Sequence, residues 1–208
     1  MNINYIADFE KKVDLMLSSN TYDRRSALHL LKLYQFYPEK LNLKYIEKVL
    51  ILTLTALPQN DFTLALYLLN EDLHKKEEVQ RLINLQLLLE TGNFVEFWKE
   101  LKISKSNSSS NLKNLDKFYP KFNDSVKEFI AKIVNITFEN VEKELLKSIL
   151  NLSDDISLSA FLRNHGWNLN NHTVNIPRPT ATQLKVLNNA EGVVQFNQLK
   201  KIIEYSRS

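Results

Sequence analysis

The chain has 208 residues, of which 44% are apolar and 25% are charged, with no cysteine and three glycines. The lack of cysteine excludes disulfides, thiolate metal sites and thiol catalysis. Gly92, Gly166 and Gly192 are too widely spaced to form a Gly-rich phosphate loop. The formal net charge of +3 is spread over both halves of the chain, so neither half has the basic excess of a nucleic-acid-binding domain.

The first hundred residues carry apolar side chains at spacings of three and four, which is typical of amphipathic helices. Helices are predicted at residues 6–17, 22–37, 43–57, 62–71, 77–90 and 94–102. Pro38 and Pro58 end the second and third helices, and Asn60 or Asp61 caps the fourth. Short antiparallel helices at this spacing predict a right-handed helical repeat of the HEAT or TPR type over residues 1–121.

Aromatic residues at helical spacing are expected to fill the core of this repeat. They are Tyr34, Phe94, Phe97 and Trp98. His29 lies in an apolar helix and is predicted to pack in the same core. Gly92 follows the fifth helix, where a left-handed residue would end it and let the next helix fold back.

Residues 104–111 (SKSNSSSN) have one charge and no apolar side chain, which predicts a mobile loop. The surrounding region, residues 99–121, holds six lysines against two acidic residues. Because phosphate binding needs only positive charge, Lys113, Lys117 and Lys121 are candidate RNA contacts. The alternative is that these lysines form a solvated flank of the loop.

A different unit is predicted over residues 122–178. Its pattern is helix, brief strand, helix, helix and hairpin, at residues 125–134, 136–138, 139–150, 153–165 and 167–176. Asp124 or Ser125 begins the first helix, Ser125 with a capping box to Glu128; Ser153 caps the third, and Gly166 follows its end. This order of elements is typical of a winged-helix domain, so the predicted fold class is mainly α with a small β-hairpin.

Residues 179–208 form a tail that ends in a predicted amphipathic helix. One face of this helix carries four apolar residues, Phe196, Leu199, Ile202 and Ile203. Such a face either joins a helical bundle with partner proteins or packs back on its own domain.

The sequence contains no pattern that predicts catalysis, a metal or a cofactor. The motifs HExxH, GxSxG and the EF-hand loop are absent. His165 and His172 flank the predicted hairpin but are too few for a zinc site without cysteine. Asp154 and Asp155 lie at a helix start, where capping and the helix dipole explain them. A protein that is not an enzyme is therefore expected.

Membrane association and sequence-specific DNA binding are not expected either. The most apolar run, residues 49–57, is about half the length of a membrane span, and the first residues do not resemble a signal peptide. A soluble, intracellular protein is therefore predicted. The third helix of the predicted winged helix carries two carboxylates at the end that would meet DNA, and carboxylates repel phosphate.

Several motifs resemble the subunit k family of eukaryotic translation initiation factor 3. They lie at residues 31–38 (LKLYQFYP), 56–64 (ALPQNDFTL), 88–94 (LLETGNF), 97–98 (FW), 124–130 (DSVKEFI), 134–137 (VNIT) and 166–167 (GW). They occur in the family's order over about residues 22–176. The resemblance implies a PCI-type module, a helical repeat followed by a winged helix, over about residues 22–195.

This resemblance also implies a function and partners. It implies a non-catalytic scaffold subunit of initiation factor 3, acting in initiation on the small ribosomal subunit and pairing with subunit l. PCI subunits join by placing winged-helix sheets side by side, and Thr173, Val174 and Ile176 form a candidate edge strand for this contact. Two alternatives remain, a small PCI subunit of the proteasome lid or signalosome, and an RNA-binding winged-helix protein.

Overall fold

The computed structural model of the chain describes residues 5–107 and 111–177. These residues form α1 (Tyr5–Ser19), α2 (Arg24–Phe36), α3 (Leu43–Thr55), α4 (Asp61–Tyr67), α5 (Glu71–His74), α6 (Glu77–Glu90), α7 (Phe94–Asn107), α8 (Leu115–Phe118), α9 (Phe122–Thr137), β1 (Asn140–Glu142), α10 (Lys143–Ile149), α11 (Asp155–His165), β2 (Asn168–Asn170) and β3 (Thr173–Asn175). Short 3-10 helices lie at Pro38–Lys40 and Asn111–Asn114. The predicted mainly α fold is confirmed, whereas the predicted C-terminal helix lies outside the described residues.

Side chains that accept hydrogen bonds from backbone N–H groups define several helix starts. Asp23 caps α2, Asn42 caps α3 and Asn70 caps α5. The helix predicted at residues 62–71 is shorter in the structure, where α4 ends at Tyr67 and Asn70 caps the separate helix α5. Asn60 is the N-cap residue of α4, as one of the two predicted candidates, although its side chain makes no capping hydrogen bond; Asp61 is the first residue of the helix and is buried.

Helix α7 extends through the first half of the predicted mobile loop. The prediction of a loop at residues 104–111 is therefore wrong for residues 104–107, which are helical. Leu101 and Ser104 are both buried, one helical turn apart, and α7 contacts the 3-10 helix Asn111–Asn114. Packing against this 3-10 helix thus stabilises residues 104–107 as a helix, although their own composition is that of a loop.

The apolar side chains of the described residues form one continuous core. Helix α3 lies at its centre and contacts α1, α2, α4, α6 and α9. The four predicted core aromatics are confirmed, with Tyr34, Phe94, Phe97 and Trp98 all at most 7% exposed. His29 is exposed and stacks on Phe9 with ring centroids 4.9 Å apart, so its predicted place in the core is wrong. It faces away from the buried stripe of α2.

The winged-helix elements occur in the predicted order but with shifted boundaries. Helix α9 begins at Phe122, so Ser125 lies within its first turn and donates to Asn20 instead of forming a capping box. The helix also runs through Thr137, so a strand at residues 136–138 is wrong. The first strand lies at Asn140–Glu142 instead, four residues after the predicted one, and its Val141 pairs with Val174 of β3.

The helical repeat and the winged helix share side-chain contacts. The indole Nε1 of Trp98 on α7 donates to the carbonyl of Ile149 at the end of α10, at 2.9 Å. The hydroxyl groups of Tyr119 and Thr55 lie 3.1 Å apart, which joins the segment before α9 to α3. These hydrogen bonds and the continuous core hold α10 and α9 against the repeat.

A buried carboxylate joins the starts of α2 and α4. Asp61 is 1% exposed, accepts a hydrogen bond of 2.7 Å from the Tyr22 hydroxyl and lies 2.9 Å from Nε of Arg24. Burial raises the pKa of the Tyr22 hydroxyl, and its hydrogen bond to Asp61 raises it further. At neutral pH the tyrosine therefore stays a hydrogen-bond donor to the carboxylate.

We expect Asp61→Ala to lower the free energy of unfolding by about 2–4 kcal/mol, because it leaves the Tyr22 hydroxyl without its buried acceptor and removes the ion pair with Arg24. Urea denaturation at neutral pH measures this loss. Asp72→Ala is the matched control, since Asp72 is exposed and lies 3.9 Å from Lys75, and it should change stability by less than about 0.5 kcal/mol. Equal losses in the two variants would contradict this role of Asp61.

We expect the contribution of Asp23 to stability to depend on pH. Hydrogen bonds from Lys12 and then Ser26 lower the pKa of the Asp23 carboxyl from 3.8 to about 2. A folded-state pKa below the unfolded value stabilises the fold above the unfolded pKa, and this contribution is lost as pH falls through the folded pKa. Because the carboxylate is partly exposed, Asp23→Asn should cost about 1 kcal/mol at neutral pH, and this difference should shrink between about pH 4 and pH 2.

Urea denaturation of the wild type and Asp23→Asn across this pH range measures the difference. In a Lys12→Met background the pH dependence of the difference should become smaller, because Lys12 is the main cause of the lowered pKa. A difference that stays constant down to about pH 2 would show that the Asp23 charge does not stabilise the fold.

Candidate functional site

The three strands form one antiparallel sheet in the order β1-β3-β2. In β3, Thr173 pairs with Glu142 on one side and with Asn170 on the other. The prediction that Thr173, Val174 and Ile176 form an edge strand is therefore wrong, because β3 has a hydrogen-bonded neighbour on each side. Its backbone groups are already used within the sheet.

The sheet has one apolar face, which is set by a row of residues across its strands. Val141, Val174 and Leu169 lie opposite one another in the register. Val174 is fully buried and Val141 is 4% exposed, whereas Leu169 is 41% exposed. Ile176 is also buried, and its N–H donates to the carbonyl of Glu139 at 2.8 Å. The apolar face is thus covered at β1 and β3 but open at β2.

Strand β2 is one of the two edge strands of this sheet, the other being β1. All three of its residues, Asn168, Leu169 and Asn170, are exposed, and the strand has a sheet neighbour on one side only. An edge strand with unpaired backbone groups and one exposed apolar side chain can accept a strand from another chain. The alternating apolar pattern of the hairpin predicts both strands, but only the pairing of β1 with β3 shows which of them lies at the edge.

The start of α11 is anionic. The side chain of Asp154 caps the helix by accepting from the backbone N–H of Ser157 at 2.6 Å, so the predicted cap at Ser153 is wrong by one residue. These hydrogen bonds from Ser157 lower the pKa of the Asp154 carboxyl. Hydrogen bonds from Lys143 and Lys147 lower the pKa of Asp155 in the same way. Both carboxylates therefore remain charged at neutral pH.

The end of α11 is joined to α9 by an aromatic cluster. Gly166 ends the helix with φ +67, as predicted, in the left-handed region that favours glycine. The imidazole of His165 stacks on Phe161 with ring centroids 4.1 Å apart, and its Nε2 lies 3.2 Å from Glu128. Trp167 packs against both rings. Among the described residues, no group of three or more His, Asp or Glu side chains is placed to hold a metal ion.

The three lysines predicted as RNA contacts lie on the connection between α7 and α9. Lys113 is in the 3-10 helix Asn111–Asn114, Lys117 is in α8 and Lys121 is the residue before α9. All three side chains are exposed. Four other site candidates, Phe196, Leu199, Ile202 and Ile203, lie outside the described residues.

A cleft of about 500 Å³ lies between α7 and α10, and the sequence pattern did not predict it. Lysines of α7 and α10 line it, together with Trp98, Leu101 and Leu152. These lysines are Lys99, Lys102, Lys105 and Lys147. The spacing of three between Lys99, Lys102 and Lys105 places them on one face of α7. The sequence pattern predicts that this helix ends at Lys102, so it does not place Lys105 on the same face. Lys147 comes from a distant part of the chain.

Among the described residues, no helix is both long and apolar enough to cross a bilayer.

Comparison with known proteins identifies the family. The sequence model of the CSN8/PSMD8/EIF3K family matches residues 40–186. The chain belongs to this family. The match begins just before α3, the centre of the core, and covers all three strands of the sheet.

Individual relatives extend the similarity over most of the chain. The chain is 33% identical to "Eukaryotic translation initiation factor 3 subunit K" of Drosophila erecta over 166 residues, which are 80% of this chain and 71% of that protein. It is 30% identical to the protein of the same name from Drosophila grimshawi, over 92% of this chain and 83% of that protein. The protein of that name from Caenorhabditis briggsae is 28% identical over 99% of this chain and 85% of its own length. The resemblance seen in the sequence motifs is confirmed.

Proposed function

We propose that the chain is a subunit of translation initiation factor 3 that acts in the cytoplasm as a non-catalytic scaffold. The observation that carries this proposal is the similarity to proteins named subunit K, which reaches from 80% to 99% of the chain in relatives from flies and a nematode. Other subunits of the factor, subunit l among them, are the proposed partners. Contact with the small ribosomal subunit is proposed to occur through the assembled complex.

The exposed strand β2 supports a mechanism for this assembly. Strand addition uses main-chain hydrogen bonds for affinity and an apolar side chain for specificity. Leu169 supplies such a side chain at the edge, in register with the buried Val174. A partner strand added beside β2 would cover Leu169 and extend the apolar face of the sheet. This contact replaces the one expected at β3.

The charge of α11 supports a protein partner over duplex DNA at the winged helix. Asp154 and Asp155 place two negative charges at the end of the helix that a DNA-binding winged helix inserts into the groove. Their lowered pKa values keep these charges at neutral pH, and they would repel phosphate. Ile156 beside them is 83% exposed, which adds apolar surface at the same place.

We expect Leu169→Lys to reduce the recovery of partner subunits several-fold without unfolding the protein. A lysine on an edge strand opposes strand addition, and the partly exposed position tolerates a charged side chain. Affinity purification of the tagged full-length chain from cytoplasm, followed by quantitative mass spectrometry, measures the recovery. Thermal unfolding of the purified variants shows whether the fold is retained.

Leu145→Lys is the matched control, because it makes the same chemical change at a position of α10 that is 45% exposed and lies outside the sheet. It should leave the recovery unchanged. Equal recovery with Leu169→Lys and the wild type would overturn the role of β2. Recovery of proteasome lid or signalosome subunits in place of initiation factor 3 would overturn the proposed function.

The C-terminal residues supply a second proposed contact. Phe196, Leu199, Ile202 and Ile203 are proposed to join a helical bundle with other subunits. Deletion of residues 194–208 should then lower partner recovery in the same purification. Unchanged recovery together with a lower unfolding temperature would instead show that these residues pack on their own domain.

We expect charge reversal of Lys113, Lys117 and Lys121 to distinguish assembly through protein from direct RNA contact. If the chain reaches the ribosome through its partners, Lys→Glu changes at the three positions leave co-sedimentation with small ribosomal subunits nearly unchanged. If the lysines bind RNA, three lost phosphate contacts lower it by at least about tenfold at physiological salt. Sucrose-gradient sedimentation with detection of the tagged chain measures the difference, and such a loss with partner recovery intact would favour the RNA alternative.

A further inference from the structure

The cleft between α7 and α10 has a lining of one charge sign. Four lysines contribute to it, and none of its lining residues is acidic. Its volume of about 500 Å³ lies within the range of about 300–1,000 Å³ that holds a compact ligand. The contact of α7 with α10 creates it, so neither the helical repeat nor the winged helix contains it alone.

Two of the lysines are fixed in place by carboxylates from outside the lining. Lys105 lies 2.8 Å from Asp116, and Lys147 lies 3.0 Å from Asp155. The side chains of the two lysines are only 22% and 19% exposed. These ion pairs hold the long lysine side chains along the wall of the cleft. Less side-chain conformational entropy is therefore lost when a ligand binds.

The other two lysines are available at the rim. Lys99 is 63% exposed and shares an exposed ion pair of 3.1 Å with Glu96, which solvent weakens. Lys102 is exposed and has no ion pair with any described residue. An incoming carboxylate can therefore reach both ammonium groups without breaking a buried interaction.

The wall beneath the lysines is mixed. Val95, Trp98, Leu101 and Leu152 contribute apolar atoms, and Asn123, Ser148 and Asn151 contribute polar groups. Trp98 is 7% exposed, and its indole is held by the hydrogen bond to Ile149, so it presents no open face on which a base could stack. Binding of single-stranded RNA normally uses such a stacking face. The wall fits an aliphatic or aromatic side chain of a peptide better than a nucleotide.

Charge also argues against two occupants from the chain itself. Residues 178–208 carry five basic and two acidic side chains, and the whole chain has a formal net charge of +3. A basic tail or a second copy of the chain would meet four lysines with charge of the same sign. The complementary occupant is acidic and comes from another protein.

We propose that this cleft binds a short acidic segment of a partner protein. One aliphatic or aromatic side chain of the segment packs against Val95 and Leu152, and flanking carboxylates bind Lys99 and Lys102. This site is separate from the β2 edge, and its binding to a peptide does not depend on which complex contains the chain.

Fluorescence anisotropy with the purified full-length chain at physiological salt tests the proposal. The probe is a fluorescein-labelled peptide of Asp and Glu residues with a central Phe-Leu pair, and a labelled oligouridine of similar length is the RNA probe. Lys99→Glu with Lys102→Glu should raise the Kd of the peptide by at least about tenfold. Val95→Glu, which places a carboxylate in the lining, should weaken binding in the same direction.

Lys113→Glu with Lys117→Glu is the matched control, because it makes the same charge change at two exposed lysines outside the lining. It should leave the Kd within about twofold. Circular dichroism verifies that every variant is folded. Equal weakening by the two lysine pairs would overturn the proposal, since it would show attraction to net charge alone.

The two tryptophans of the chain give a readout at the site itself. Trp98 lines the cleft, whereas Trp167 lies in the aromatic cluster at the end of α11. In a ¹⁵N–¹H spectrum, the peptide should shift the indole signal of Trp98 and leave that of Trp167 in place. No peptide binding, a shift of Trp167 alone, or tighter binding of the RNA probe with the same Trp98 shift would each overturn the proposal.

Discussion

The second half of helix α3 is buried around its whole circumference, and the arrangement of the other helices follows from this constraint. Six consecutive residues, Val49 to Leu54, have no more than 1% of their surface exposed. Such a helix is stable only when neighbours cover every side, because its apolar side chains stabilise the fold only while they are buried. Truncation of one large apolar side chain in such a core costs about 2–5 kcal/mol. α1, α2, α4, α6 and α9 supply that cover. The single polar hydroxyl among the six, on Thr53, is satisfied by the carbonyl of Leu50.

The same constraint joins the two parts of the chain. Helix α9 belongs to the winged helix in sequence order, yet it covers part of α3 and continues the core of the repeat. The indole of Trp98 adds a hydrogen bond to the end of α10. Because the sheet is attached through α9 and α10, the orientation of its β2 edge is set by packing against the repeat. The cleft between α7 and α10 arises at the same junction.

The surface divides into regions of different chemistry. The start of α11 carries two carboxylates, the cleft is lined by four lysines with apolar and polar neighbours, and β2 presents backbone groups with Leu169. The first two regions adjoin each other, because Lys147 of the cleft pairs with Asp155 at the start of α11. Several surfaces of different chemistry suit the proposed role as a scaffold in initiation factor 3.

Local patterns in the sequence were enough to predict the helices, the hairpin and the end of α11 at Gly166, because periodicity, caps and left-handed turns involve residues within a few positions of one another. Sequence motifs were also enough to indicate the family. They failed where packing between separate elements decides the outcome, as at Ser104, which is buried and helical where α7 packs on the 3-10 helix Asn111–Asn114. Strand order depends on the pairing of Val141 with Val174, and the cleft depends on Lys102 and Lys147 meeting across a helix junction. Only tertiary packing brings such pairs together, since no local backbone preference links residues more than thirty positions apart.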